Sequence, residues 1–261
     1  MTFLQRTLGK NYKWVYLFLF NLKSLTTYFW TDLFWYSSQV INLFVVVFLW
    51  QISNRVDNQE VIQYVLMANI FFTLSSNQTY WLISNRIYEG KITNELISPT
   101  SVFNHYFWGK SIGYAVKNIF SIGIATLPLM IWFRGNLNFQ GNFIIILMLP
   151  IAFSIKYFLN MSIGFVGFWV KENFGTMNLY ENILPLISGA LVPLSIINIP
   201  ILQELPTSYL LHHPMQIYLG KYDNIQIAQT FTGGIVWCFA LWILARLIFR
   251  AGLKKNEAVG L

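Results

Sequence analysis

The sequence predicts an all-α polytopic membrane protein: six transmembrane helices preceded by an N-terminal interfacial amphipathic helix, with re-entrant helices between the fifth and sixth spans. Three observations carry this. Only 10% of the 261 residues are charged and 56% are hydrophobic. Soluble domains average about 25% charged residues, so there is too little charge here to cover a water-facing surface. Apolar runs of about 20 residues, the length that crosses a bilayer, recur with short polar turns between them. The fifth run is interrupted by prolines and glycine, and a polar segment follows it. Mean hydropathy of +0.51 fits the same class. So does the 18% aromatic content, because Trp and Tyr gather at membrane interfaces.

Residues 1–29 carry Arg6, Lys10, Lys13 and Lys23 and no acid. Their apolar run, Trp14 to Phe20, is too short to span, and predicts an amphipathic helix lying in the interface. A short first span is the alternative. Lys23 and the absence of a small-residue cleavage site argue against a signal peptide. The spans follow at 30–52, 61–84, 106–133, 143–170, 179–197 and 231–249, all within one transmembrane domain. Span five holds Pro185, Gly189 and Pro193. Helix breakers at this density are tolerated in a membrane only where protein or water satisfies the freed backbone groups. Segment 198–229 is too polar and proline-broken to cross; it predicts short helices that dip into the outer leaflet and return. A basic tail, 250–261, ends the chain.

Positive charge sets the orientation. With the N-terminus inside, twelve of the seventeen Lys and Arg fall on inner segments, three (Arg55, Arg134, Lys221) on outer ones and two within spans. Both termini and segment 86–100 are therefore expected in the cytoplasm. The net charge of +7 reads as topology and contact with anionic lipid headgroups, not nucleic acid. Cys238 is the one cysteine, so neither a disulfide framework nor a thiolate metal site is expected within one chain. No internal repeat of the inverted-transporter kind is visible.

The chain is organised around Arg86–Pro99, a mixed-charge stretch between two apolar runs. Glu89 and Lys91 cannot lie in hydrocarbon, Gly90 permits a turn and Pro99 sets a stop. Ile92, Leu96 and Ile97 offer apolar anchors beside those charges. In span two, Ser75–Thr79 is polar throughout, and unsatisfied polar groups in hydrocarbon cost a few kcal/mol each. Ser76, Asn77 and Thr79 are thus candidates to line a pathway or gate. Interhelical hydrogen bonding, or an early exit from the membrane with Tyr80 and Trp81 as its belt, explains them equally well. Lys156 lies mid-span, where a lysine is a functional candidate, with Glu172 or Glu181 as partners. Lys117 is close enough to the inner end to snorkel. Pro185, Gly189 and Pro193 complete the pathway candidates. Small residues at helix-neighbour spacing (Ser111 and Ala115, Ser121 and Ala125, Gly164 and Gly167) allow close helix approach.

Catalysis has no visible constellation. His105, His212 and His213 fall in no metal-ligand spacing, and His212-His213-Pro214 reads as an outer-surface turn. Gly109-Lys110-Ser111 looks like the end of a phosphate-binding loop, but Asn104 stands where the first glycine belongs and no strand precedes it.

Glu89-Gly90-Lys91 with Glu95–Pro99, then Leu186–Pro193, Leu205-Pro206, Pro214 with Tyr218-Leu219-Gly220, and Gly252–Gly260 appear in an order that resembles the membrane subunit of type-2 ABC exporters. In particular it resembles the bacterial six-span permeases that work with a separately encoded ATPase. The resemblance covers nearly the whole chain. It implies that Tyr88–Pro99 is a coupling helix docking on the ATPase, with Tyr88, Glu89, Gly90, Lys91, Ile92, Glu95, Leu96, Ile97 and Pro99 as its residues. It implies outer re-entrant helices at 198–229 and a location in the bacterial cytoplasmic membrane. The expected partners are two ABC ATPase subunits, a second permease copy or homologous permease, and membrane lipids. ATP and Mg would be bound by the ATPase, with no cofactor in this chain. The expected activity is ATP-driven export of an amphipathic or hydrophobic lipid, drug or peptide, this chain itself being non-catalytic. An ATP-independent secondary transporter or channel is the alternative.

Overall fold

A computed structural model describes residues 29–52, 58–98, 100–132, 144–170, 173–191, 193–197 and 199–255. The expected interfacial helix at 1–28, Arg55, Pro99, Arg134, Lys171, Glu172 and the tail beyond Lys255 lie outside the described residues. Within them the chain is helical, with no strand. In order come α1 (Phe29–Ile52), α2 (Asn58–Ser75), α3 (Thr79–Tyr88), α4 (Ile92–Ile97), α5 (Val102–Tyr106) and α6 (Ile112–Trp132). They are followed by α7 (Ile145–Phe165), α8 (Phe174–Ser188), α9 (Leu194–Ile197), α10 (Pro200–Glu204), α11 (His212–Tyr218) and α12 (Asn224–Leu253). A π-helical turn, Phe107–Ser111, joins α5 to α6, and a 3-10 turn, Pro206–Leu210, joins α10 to α11. By length and composition three stretches could cross a membrane: Val102–Trp132, Ile145–Phe168 and Asn224–Leu253.

Helix α7 is the hub, packing against α2, α3, α8, α11, α12 and the 3-10 turn. Its residues Met148, Ala152, Ile155 and Met161 are wholly enclosed. One core at the start of α7 gathers Leu66 of α2, Leu184 of α8, and Tyr209, Leu210 and Met215. A second core at its end gathers Ile83, Ile87, Ile92, Val102, Tyr106, Phe165 and Ala245. Between helices in lipid the gain is close packing, because hydrocarbon is as apolar as leucine. Gly164 and Gly167 show this. A Cβ on Gly164 would stand 2.9 Å from Ile83 Cβ, and one on Gly167 would stand 3.2 Å from Ser84 Oγ. These small residues seat α3 on α7 within one chain.

Two readings of the sequence meet a different geometry, and a third, span five, meets the interruption that its helix breakers imply. Span two, expected as one helix over 61–84, is broken at 76–78, where consecutive polar side chains draw the backbone out of helical pairing. Span five, expected over 179–197, ends as a helix at Ser188, on Gly189 with φ of 89°. That left-handed residue closes the helix, with the Ala190 N–H donating to the Pro185 carbonyl at 2.8 Å. Lastly, His212-His213-Pro214 is not a surface turn. It opens α11, where Pro214 falls in the first turn and needs no intrahelical donor, and His212 is buried.

Candidate functional site

The first part of the site is the segment after α3. Helix α3 ends at Tyr88, Gly90 turns the chain with φ of 70°, and α4 runs for six residues. Only a residue without Cβ takes that backbone conformation cheaply. The short helix has two chemically distinct sides. Ile92 is fully enclosed in the second core, which also holds residues of α7 and α12, and α4 packs on α3 and α5. Glu95 is also turned inward: its carboxylate lies 3.7 Å from Arg86 Nε, and the buried Tyr106 hydroxyl faces it. On the other side Tyr88, Leu96 and Ile97 are open, Ile97 at 83% exposure. Glu89 and Lys91 pair at 2.8 Å on the surface. The hydrogen bond from Lys91 and its charge hold the Glu89 carboxyl below its ordinary range. An exposed pair of this kind adds little stability.

The second part is the break at 76–78. Asn160 of α7 donates through Nδ2 to the Asn77 carbonyl and to Asn77 Oδ1, the latter at 2.7 Å. Asn118 of α6 donates to the carbonyls of Thr73 at 2.7 Å and Ser76 at 2.8 Å. Thr79 Oγ1 donates to Asn77 Oδ1 at 2.8 Å, and Tyr180 of α8 donates to Asn160 Oδ1 at 2.7 Å. The Ser76 hydroxyl bonds back to the Phe72 carbonyl at 2.7 Å. The acceptors lost by breaking the helix are thus supplied with donors from two neighbouring helices, as buried backbone requires. Of the three explanations open for Ser75–Thr79, hydrogen bonding between helices is the geometry found. Asn77 and Thr79 are buried, and Gln78 between them is exposed.

Lys156 stands one turn before Asn160, with Nζ 4.7 Å from the Phe72 ring centre and 5.9 Å from that of Tyr180. It is 6% exposed, and among the described residues it forms no salt bridge to Glu181. Aromatic faces make the close contacts, and the Glu181 charge acts on Lys156 from beyond pairing distance. Near the start of α7, Tyr64 OH donates to the Gly189 carbonyl at 2.9 Å, and Leu194 packs on Gly189. Pro185 lies inside α8, and Pro193 is half-buried before α9. The predicted residues therefore fall in three places, the segment after α3, the break between α2 and α3 with Lys156 of α7 near it, and the end of α8.

Sequence reasoning missed Asn118, Asn160 and Tyr180, which hold the break. The available signal was an asparagine inside an apolar run, four residues after a lysine (Lys156, Asn160) and therefore on the same helix face. The Gly109-Lys110-Ser111 decoy forms most of the π turn, a wider coil than a phosphate loop's helix start.

Helix α3 is thus joined at one end to a hydrogen-bonded break and at the other to the short helix α4. This all-helical geometry now has an independent correlate. The family described as ABC-2 family transporter protein matches residues 13–260. No curated protein matches the chain, and no solved structure does. Since that match spans nearly the whole sequence, the chain belongs to the ABC-2 family of transporter proteins, as a multi-pass membrane permease subunit.

Proposed function

We propose that this chain is the transmembrane subunit of an ATP-driven ABC exporter. With a second copy or a sister permease it forms the pathway for an amphipathic or hydrophobic lipid, drug or peptide. Six spans follow from this reading: α1, α2 with α3, α5 with α6, α7, α8 and α12. Residues 198–229 then close the outer side as re-entrant helices, and residues 1–29 lie in the inner interface. Both termini are in the cytoplasm of a bacterium, and α4 is the coupling helix. A separate ATPase, two subunits per complex, binds ATP and Mg; this chain catalyses nothing.

The observation that carries the reading is the division of α4 into two sides. Ile92 and Glu95 fasten it to the chain's own core, and Tyr88, Leu96 and Ile97 remain for a partner. When nucleotide closes the ATPases, a pull on α4 is delivered along α3 to the break at 76–78. There α2 and α3 change angle and the pathway opens outward. Ser76, Asn77 and Thr79 act at the pivot, and Pro185, Gly189 and Pro193 let α8 follow. The test is co-purification of the ATPase with Leu96→Asp and Ile97→Asp permease, together with ATP-driven export from cells. Undiminished assembly and export in both variants would remove the reading.

The alternative, a transporter or channel needing no ATPase, draws on Lys156 buried midway along α7. It predicts cargo movement by the isolated chain in liposomes, lost in Lys156→Gln.

A further inference from the structure

Two observations on the seam between α3 and α8 point to a ligand. The two helices meet through aromatic side chains, Tyr80 against Tyr180 edge-on with ring centres 5.5 Å apart and Trp81 against Phe174 at 5.1 Å. On the outward side of this seam Glu181 and Asn182 are exposed, and Phe174 is 60% exposed. The depth of Glu181 is fixed by its neighbour. Tyr180 bonds Asn160 and stands against Lys156, at the middle of the Ile145–Phe168 stretch. A carboxylate facing hydrocarbon at mid-depth costs at least about 3 kcal/mol. The second observation is the exposed, non-helical Gln78 at the same level, next to the Asn77 that Asn160 holds. Irregular backbone at membrane depth survives only against protein or water. The seam therefore opens on a polar space, not on lipid.

The chemistry of that opening is anionic and aromatic. Among the described residues Glu181 forms no salt bridge. The Tyr80 hydroxyl lies against its carboxylate. Pro185, four residues on, has no N–H to give to the Glu181 carbonyl, so a second oxygen there lacks its helical donor. Lys156 is enclosed behind Tyr180; its charge reaches Glu181, but no salt bridge forms between them, which leaves the Glu181 carboxylate facing outward. A carboxylate edged by a half-buried indole and an open phenyl ring is suited to an organic cation, the carboxylate taking the charge and the rings the apolar body.

We infer that the α3–α8 seam is a binding subsite for an amphipathic organic cation, with Glu181 as its counter-ion and Trp81 and Phe174 as its apolar wall. This rests on the permease reading and names the cargo's chemistry. The test uses the permease–ATPase complex in nanodiscs, with tetraphenylphosphonium as the cationic probe and triphenylphosphine oxide as a neutral one. Glu181→Gln should weaken tetraphenylphosphonium binding roughly ten- to a hundredfold and leave the neutral probe unchanged. Trp81→Leu should weaken both. Because Glu181 is exposed, its variant should keep the melting temperature of the parent. Equal affinity of parent and Glu181→Gln for the cation, or no binding by the parent, overturns the inference. So does spontaneous disulfide cross-linking of Glu181→Cys between two copies, which would make the seam a subunit contact. An intact complex in those cases leaves the permease reading standing; a permease that never retains the ATPase removes that reading instead.

Discussion

Asn160 holds Asn77 by two hydrogen bonds from one amide nitrogen, to the backbone carbonyl and to the side-chain oxygen. Through that grip α7 fixes the angle at which α3 leaves α2. Its own Oδ1 accepts from Tyr180, so three helices meet at one side chain. Replacing Asn160 by Leu strips the Asn77 carbonyl of its side-chain donor and the Tyr180 hydroxyl of its acceptor, and leaves Asn77 Oδ1 with Thr79 alone. Each orphaned group costs about 1–3 kcal/mol. Asn160→Leu should therefore unfold several degrees earlier in detergent, and export should fall with it. Asn160→Asp should be no better, because a carboxylate cannot donate to Asn77. A variant that melts with the parent would show that the break is held by other means.

The two sides of α4 make opposite predictions. Glu95→Gln removes the charge facing Arg86 and loosens the segment from within, so proteolysis between α3 and α5 should speed up. Leu96→Asp and Ile97→Asp alter only open side chains, and stability should stay within about 0.5 kcal/mol. Retention of the ATPase should nonetheless drop about tenfold or more, as expected when central apolar anchors of an interface are lost. The measurements are limited trypsin digestion and quantitative pull-down. If Glu95→Gln lost the ATPase while remaining protease-resistant, Glu95 would belong to the docking face.

Local backbone chemistry was the legible part of this sequence. The turn at Gly90 and the closure of α8 at Gly189 follow from what glycine permits at a single residue, and both stand where the sequence marks them. The run Ser75–Thr79 declared itself polar in an apolar setting, but its outcome depended on donors arriving from α6 and α7, the latter held in turn by Tyr180 of α8. Which side of α4 faces inward was illegible for a geometric reason. Six residues make less than two turns, too few for a hydrophobic period to show. The carboxylate of Glu95 goes inside, and Ile97 stays out, because Arg86 and Tyr106 wait on other elements. Pro214 misled for the opposite reason. Read as part of a surface turn, it sits where a helix start tolerates proline, and of the two histidines before it His212 is buried and His213 half-buried.

Close packing of α3 on α7 gives a cleaner test. A methyl on Gly164 would meet Ile83 Cβ at 2.9 Å and the Tyr80 carbonyl oxygen at 3.2 Å. Neither atom is the free end of a flexible chain, so Gly164→Ala should cost about 1–3 kcal/mol through overpacking. Gly175, at the start of α8, has nothing within 4 Å of the same added carbon. Gly175→Ala should be neutral or stabilising by up to about 1 kcal/mol, alanine being the better helix former. Thermal unfolding in one detergent compares the two directly. Equal melting temperatures would mean that α3 moves aside freely, against its role as a rigid arm.

The histidines of α11 predict a response to acid. His213 Nε2 faces the Gln203 carbonyl at 2.9 Å, and Nδ1 faces Tyr222 OH at 2.9 Å. A carbonyl only accepts, so Nε2 carries the proton and Nδ1 accepts from Tyr222. Burial holds His213 below its ordinary value, opposed by the hydrogen bond to the Gln203 carbonyl and then by the Glu204 charge. His212 is pushed down to about 4 by burial, with His213 beside it adding to the shift. Both groups take a proton more readily in the unfolded chain, whose histidines titrate near 6.5. Their contribution is then complete above that value and is lost as pH falls through the interval toward about 4, by about 3 kcal/mol for His212 at the acid end. Hydrogen exchange over 200–218, corrected for intrinsic rate, should therefore lose protection between roughly pH 7 and pH 4.5. His212→Gln should flatten that dependence, since an amide does not titrate. Protection that stays level across the interval, or declines equally in the variant, would place the acid-sensitive group elsewhere.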